Sequence, residues 1–402
     1  MPGEEKPYRV YRGGRVKGKA PSTADRPARS SILSGAGGKG GDAKRSGTSS
    51  RADYRGPGGG GAKSKGRPRW GRRIGLGIVA LIVLFVIWGV TSWLSFSGGV
   101  SDANKRLDPN AKLALTKQNG LLLSHSTTVL LLGTDNGEVG RADDRHSDSM
   151  MLMRTDPSHH RIYYLSIPRD IVVPIPGEST QKINAAMQLG GPALAIRTVH
   201  DFTGLPINHV VVVNFADFKD LINALGGITV DVPEKIQSNR FDCPYSTQAR
   251  CDKWQGWRFA KGSQHMNGDR ALIYSRIREN SLNPADNDIS RGARQQAVMD
   301  ATLAKLTSPG VLLSMPWDGG KIAKPLTTDM SASQLAEFGW VRFRSSSGSS
   351  IHCRLGGDLG AGGTGQPSED NPATLAMFLG KSAPQPPTDP FGPGCEVGHP
   401  LQ

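Results

Sequence analysis

The first 73 of 402 residues contain no cluster of apolar side chains. Between Arg73 and Asp102 there follow 28 consecutive residues without a charge, and positions 74–94 read IGLGIVALIVLFVIWGVTSWL. At ~1.5 Å per residue such a run crosses a hydrocarbon core of ~30 Å, so residues 74–96 are expected to form a transmembrane helix. A cleaved signal peptide would have a shorter apolar region ending in a small-x-small site, whereas Trp88 and Trp93 mark the far interface here. Residues 97–125 read as a polar, partly helical stalk.

Beyond the stalk the pattern becomes regular. TTVLLLG (127–133), SMMLMRT (149–155), RIYYLSIP (161–168), HVVVVNF (209–215) and ITVDV (228–232) have strand length and strand composition. DPSHH separates the second and third as a hairpin turn, which brings Asp148 beside Arg169 at its open end. KINAAMQLGGPALAIRTVHDFTG (182–204) holds two helical patches divided by Gly190, Gly191 and Pro192, and a further helix ends at Gly226-Gly227. Read by strand alternation, ALIYSRIR (271–278) puts Tyr274, Arg276 and Arg278 on one face. The next helix, 290–306, opens with Ser290 as its expected N-cap, and Arg291, Arg294 and Gln295 share its first turn. After 307 only short regular pieces are expected, among them SASQLAEFGWVRF and NPATLAMFLG. Strands alternating with helices predict an α/β domain whose sheet is covered on both faces. Its core is expected over 126–310 and its C-terminal part over 311–385, with a tail at 386–402.

A net charge of +14 suggests a nucleic-acid binder until it is divided by segment. Residues 1–73 hold 19 Lys/Arg against 5 Asp/Glu, and the rest of the chain holds 30 of each, so the whole excess lies in the tail. With 17 Gly in 73 residues and little to bury, that tail is expected to be disordered, and no specific nucleic-acid partner is expected. Lys63, Lys65, Arg67, Arg69, Arg72 and Arg73 immediately precede the span. Basic flanks stay on the cytoplasmic side, so the N-terminus is expected inside and the regular domain outside a single-pass cell membrane protein.

All four cysteines fall in that exterior part, as a disulfide-permitting compartment would allow. Cys243 and Cys251 bracket a short polar segment, and Cys353 and Cys395 could close a longer loop. Four cysteines allow three pairings, among which sequence does not choose, although the local pairing is the simplest. No CxxC or CxH spacing supports zinc.

The polar residues of the regular core are dominated by arginines at element ends (Arg145, Arg169, Arg276, Arg278, Arg291) and by Asp135, Asp148, Asp170 and Asp288. Guanidinium forks suit phosphate oxygens, a helix N-terminus adds donors, and neighbouring carboxylates can hold Mg²⁺. Spacing alone leaves two readings: ordinary ion pairs at element ends, or a pyrophosphate site. The histidines form no HxxxH or HxH pattern, and no GxSxG, GxxxxGKS or GxGxxG occurs.

In order, VLLLGTD (129–135), RHSDSMMLMRTDP (145–157), YLSIPRDIVVPIPG (164–177), KINAAMQLGGP (182–192), INHVVVVNFADFKDLINALGGITVDVP (207–233), MNGDRALIYSRIR (266–278) and NDISRGARQQ (287–296) resemble the LytR-CpsA-Psr family of membrane-anchored cell-wall glycopolymer transferases. The resemblance implies one domain with a mixed central sheet flanked by helices and a hydrophobic tunnel for a polyprenyl chain. It implies transfer of a glycopolymer from a polyprenyl-pyrophosphate carrier to peptidoglycan, forming a phosphodiester. Mg²⁺, or Mn²⁺ in its place, would be held by Asp135 and Asp148. Arg169, Arg276, Arg278 and Arg291 would neutralise the pyrophosphate, with Asp170 orienting Arg169. Arg145, Asp288, Arg294 and Gln295 would complete the substrate contacts. Where the family reads R-S-D, this chain reads Arg145-His146-Ser147-Asp148, so His146 takes the arginine's place and would make that contact pH-sensitive. The Cys243–Cys251 excursion looks like an insertion, and the segment between Arg278 and Asp288 is long for the family. The same resemblance also suggests an alternative, a non-catalytic envelope protein that only binds carrier lipid or wall and acts like a transcriptional attenuator.

Overall fold

The computed structural model describes residues 70–134, 147–239, 243–245, 247–284, 286, 288–359, 365–388 and 392–401. Residues 1–69 of the basic tail, Asp135 and Arg145 lie outside the described residues, as do the side chains of Asp148 and Asp288.

Strands β1 (Thr128–Thr134), β2 (Ser147–Asp156), β3 (Arg161–Ser166), β4 (His209–Asn214), β5 (Thr327–Thr328), β6 (Ile351–Arg354) and β7 (Gly394–Val397) form one mixed sheet in the order β5-β4-β1-β2-β3-β6-β7. β1 runs parallel to β4 and β3 parallel to β6, while β2 runs antiparallel between β1 and β3. The carboxyl ends of β1, β3, β4 and β6 therefore meet along one edge.

The period of two sorts the side chains between the faces. Leu130, Leu132, Met150 and Leu152 enter a core shared with Ala186, Ile196 and Val199. These last three belong to α3 (Ala185–Thr203), which follows α1 (Trp70–Lys105) and the short α2 (Pro109–Ala114). Val129, Met151 and Met153 point the other way, towards Leu303 and Phe338. Helix α3 has non-helical backbone at Gly190 and Gly191, and Gly191 has φ +61°, where a side chain would be strained.

The remaining helices are α4 (Phe215–Ala224), α5 (Gln248–Lys253), α6 (Gly268–Arg276), α7 (Asp288–Leu306), α8 (Pro309–Ala323), α9 (Ala332–Arg344) and α10 (Asn371–Phe378). The ITVDV strand pairs outside the main sheet, with residues 262–266. Together they form a second core in which Ile228, Val230 and Val232 meet Tyr274 and Ile277.

Four expectations need correction. Residues 268–276 form a helix, not a strand, because Asn267 accepts from the Arg270 N–H at 2.9 Å as an N-cap and the buried Gly268, Ala271 and Leu272 recur at helical spacing. α7 begins at Asp288, which leaves Ser290 inside its first turn. α8, at 15 residues, is longer than the short regular pieces expected after residue 307. Finally, residues 394–397, expected in a tail, pair with β6 at the edge of the sheet. The cysteines pair Cys243 with Cys251, on α5, and Cys353 with Cys395, across β6 and β7.

β6 also brings His352 against the Tyr164 ring, with ring centroids 4.8 Å apart, and within 3.0 Å of Gln296 Oε1. The amide oxygen can only accept, so Nδ1 carries the proton. Burial pushes this imidazole down to about 3. An unfolded chain takes up the proton below about pH 6.5 while the folded chain does not, so stability falls as pH drops from ~6.5 towards ~3. The slope expected from this one residue is about 1.4 kcal/mol per pH unit. Thermal unfolding of His352→Asn between pH 6.5 and 4 should therefore show a flatter decline than the parent; equal slopes would refute the assignment.

Candidate functional site

On the face of the sheet that carries Val129, Met151 and Met153 lies a cavity of about 1170 Å³, closed by α4, α6, α7, α8 and α9. Small-molecule sites usually hold roughly 300–1,000 Å³, so this one suits a longer ligand. Its walls are apolar for most of their length: Leu131, Val211 and Val213 come from the sheet, and Val298, Leu303 and Phe338 from the helices.

One region of the lining is different. Arg276, Arg278, Arg291, Gln295 and Ser149 line the cavity beside the carboxyl ends of β1 and β4, where open α/β sheets bind ligands. Chain geometry explains the cluster. α6 ends at Arg276, and the C-cap Ile277 is extended, with φ −55° and ψ 124°. Ile277 drops into the second core, while Arg276 and Arg278 on either side turn into the cavity. The alternation read from the sequence thus holds for these two arginines at the helix end, although not for Tyr274. Tyr274 lies in the second core against Phe259, where burial pushes its phenol up to about 12 and removes it as an acid or base near neutrality.

The Arg276 guanidinium lies 4.4 Å from the centroid of Phe215, the first residue of α4, in a cation–π contact. Arg291 and Gln295 are one helical turn apart on α7, and Gln295 Oε1 accepts from Ser149 Oγ at 2.9 Å. Arg291 is only 6% exposed. The N-terminal turn of α7 adds its dipole at the same place. Lys219 and Asp269 pair at 3.6 Å and also line the cavity.

Arg294 does not join this group. On a helix it is turned ~100° from Gln295. It donates to both Asp286 oxygens, at 3.1 and 2.9 Å, and to the Ile277 carbonyl at 2.6 Å, all buried. Its expected substrate contact is thereby corrected to a structural one. Arg169 and Asp170 follow β3 but do not line the cavity. Arg169 Nε is 3.4 Å from Asp170 Oδ2, and Lys182 Nζ donates to Asp170 Oδ1 at 2.8 Å, so the carboxylate sits between two cations. Ser149 and Lys182 are not among the candidate residues that the sequence singles out. The face shared by Ser149, Met151 and Met153 could have pointed to the serine, whereas Lys182 carries no local signal.

Among the described residues no group of three His, Cys, Asp or Glu gathers as a metal cluster. The backbone is informative, however. Gly133 pairs with Ser149 and Thr134 with Ser147, so the backbone at position 148 is the extra residue of a β-bulge at the end of β1. Bulges of this kind recur beside functional sites.

Residues 90–352 match the LytR_cpsA_psr family. Among similar proteins, the polyisoprenyl-teichoic acid–peptidoglycan teichoic acid transferase TagU of Bacillus mycoides is 32% identical over 268 residues, 63% of this chain and 81% of that protein. TagU of Enterococcus faecalis is 30% identical over 234 residues, 58% of this chain and 70% of that protein. The structure of TagT bound to LIIa-WTA aligns with a TM-score of 0.50 and 27% identity, covering 67% of this chain and 96% of the other.

Proposed function

This chain belongs to the LytR_cpsA_psr family, and from that premise we propose that it is a membrane-anchored phosphotransferase. It moves a glycopolymer from a polyprenyl-pyrophosphate carrier onto peptidoglycan and leaves a phosphodiester link. The observation that carries this reading is a long apolar cavity with Arg276, Arg278 and Arg291 gathered at one region of its lining. Apolar walls suit a prenyl chain, and guanidinium forks suit the pyrophosphate that ends it. The relatives named as teichoic acid transferases support the same reaction class.

In the reaction, the oxygen of an acceptor hydroxyl forms a bond to the phosphorus next to the glycan. The bond from that phosphorus to the bridging oxygen breaks, polyprenyl phosphate leaves, and the hydroxyl proton passes to solvent or a nearby base. Arg276, Arg278 and Arg291 hold the phosphate oxygens and stabilise charge developing on the leaving phosphate. Gln295, fixed by Ser149, positions one of those oxygens. Asp170, held in turn by Lys182, orients Arg169 at the end of β3, from which Arg169 would add positive charge outside the cavity lining. Asp135 and Asp148 would hold Mg²⁺ or Mn²⁺, which when bound supplies further positive charge against the pyrophosphate. Water in place of the acceptor gives pyrophosphatase activity.

α1 is long and apolar enough to cross a membrane. The basic residues before it and the two disulfides after it support a cytoplasmic N-terminus and an extracytoplasmic domain. The test uses the full chain in vesicles with a polyprenyl-pyrophosphate-linked oligosaccharide, Mg²⁺ and peptidoglycan. Phosphodiester-linked glycan on the peptidoglycan, with equimolar polyprenyl phosphate, is expected. Carrier that stays bound without turnover would overturn this reading in favour of a binding protein.

A further inference from the structure

The wall of the cavity is completed by an element outside the sheet domain. Trp88, Ser92 and Phe96 of α1 line it, together with Leu312 and Met315 of α8 and Trp340 of α9. α1 and α8 run parallel and in step: Trp88 Nε1 donates to the Leu313 carbonyl at 3.2 Å, and the Gly320 N–H donates to Ser95 Oγ at 3.1 Å. The seam is tight because it is made of glycines. A Cβ on Gly99 would stand 2.7 Å from the Gly320 oxygen, and one on Gly319 would stand 3.2 Å from the Phe96 nitrogen. Arg106, just beyond α1, donates to the Lys324 and Leu326 carbonyls and so ties its far end to the chain after α8.

This pairing sets depth. Leu313 is level with Trp88, which lies about 9 Å inside the end of the apolar run at Leu94. The α8 residues that flank this level, PGVLLSMPW (309–317), carry no charge, and Asp318, the first charged residue, is paired with Lys321 at 2.9 Å. Leu313 is 66% exposed and Trp317 72% exposed, facing away from the cavity that Leu312 and Met315 face. A helix apolar on opposite sides has a second apolar medium to meet. Trp93 of α1 and Trp340 and Phe343 of α9 line the cavity and are also about half exposed, and such aromatics favour a membrane interface.

We propose that the first two turns of α8 sit in the headgroup–acyl boundary of the bilayer that α1 crosses, and that the cavity opens there, between α1 and α9, as a lateral portal. The prenyl chain of the carrier passes through it from the membrane without crossing water, and α1 is both anchor and tunnel wall. The proposal deepens the carrier reading above and rests on α1 being the membrane span.

All four cysteines are in disulfides, so an introduced cysteine is the single free thiol. The full chain, labelled with an environment-sensitive fluorophore at Leu84→Cys, Leu313→Cys or Lys381→Cys, is placed in phosphatidylcholine–phosphatidylglycerol vesicles containing acyl-chain nitroxide lipid. Position 84 lies within the span, and 381 follows α10 on the other side of the sheet. Quenching at 84 and 313 but not at 381 is expected. Quenching at 84 alone, with 313 open to aqueous iodide, overturns the portal but leaves the anchor standing. No quenching at 84 overturns both. In the same vesicles, Leu313→Glu with Trp317→Glu should raise the apparent KM for embedded carrier about tenfold. An unchanged KM would overturn the portal even if 313 is quenched.

Discussion

Replacing Arg276 by alanine is expected to slow glycopolymer transfer by about 10²–10³-fold, the usual cost of removing one preorganised charge-stabilising donor. Arg276 lines the cavity at its cationic region and is stacked on Phe215. Alanine removes both the charge and the fork, while the α6 backbone is still held by its Asn267 cap and by Ile277 in the second core. Thermal stability should therefore change little while activity collapses. Arg276→Lys separates the two contributions: it keeps a positive charge but loses bidentate donation and most of the stacking, so recovery should be only partial. Release of polyprenyl phosphate in the vesicle assay measures each variant. Parental rates in Arg276→Ala, and also in Arg169→Ala, would remove the arginines from the chemistry altogether.

The largest loss of stability is expected at a position with no role in that chemistry. Asp286→Ala strips the only carboxylate hydrogen-bonded to Arg294 among the described residues, in a pair whose side chains are 7% and 3% exposed. An uncompensated buried guanidinium costs about 3–5 kcal/mol. Asp286→Leu combined with Arg294→Met, which removes both charges, should recover much of that loss. Chemical denaturation measures the series. Activity should fall with the single variant as well, because Arg294 also binds the Ile277 carbonyl, and Ile277 lies between Arg276 and Arg278. If Asp286→Ala unfolds at the parental midpoint, the pair is not a keystone between α6 and α7.

Periodicity read most of the central sheet well, because β1, β2, β3 and β4 are apolar runs of strand length joined by short turns. It misread residues 268–276 because the apolar spacing there fits both periods, and only the Asn267 cap separates them. α8 was hidden by Pro316 and by Gly319-Gly320, residues that ordinarily weaken a helix. Here the glycines are needed for contact with α1, a reason that lies more than two hundred residues away in the chain. Spacing pairs Arg276 with Arg278 and Arg291 with Gln295, and it is the family resemblance that implies one shared site for them. The diversion of Arg294 could not be read from the sequence, because Asp286 became its partner only through the path of the intervening loop.

Helix α7 presents consecutive residues in different directions. Arg294 holds Ile277 and Asp286, Gln295 holds Ser149, and Gln296 reaches Ser166 and the Cys353 carbonyl while accepting from His352. Each residue is rotated ~100° from the last, so the three contacts together index the helix about its axis. A turn that moved Arg291 towards or away from a ligand would break hydrogen bonds to three strands and to the α6 end at once. The cationic end of the cavity is in this sense locked like a key with three wards, and an arriving pyrophosphate meets guanidinium groups whose bearings were set when the sheet closed.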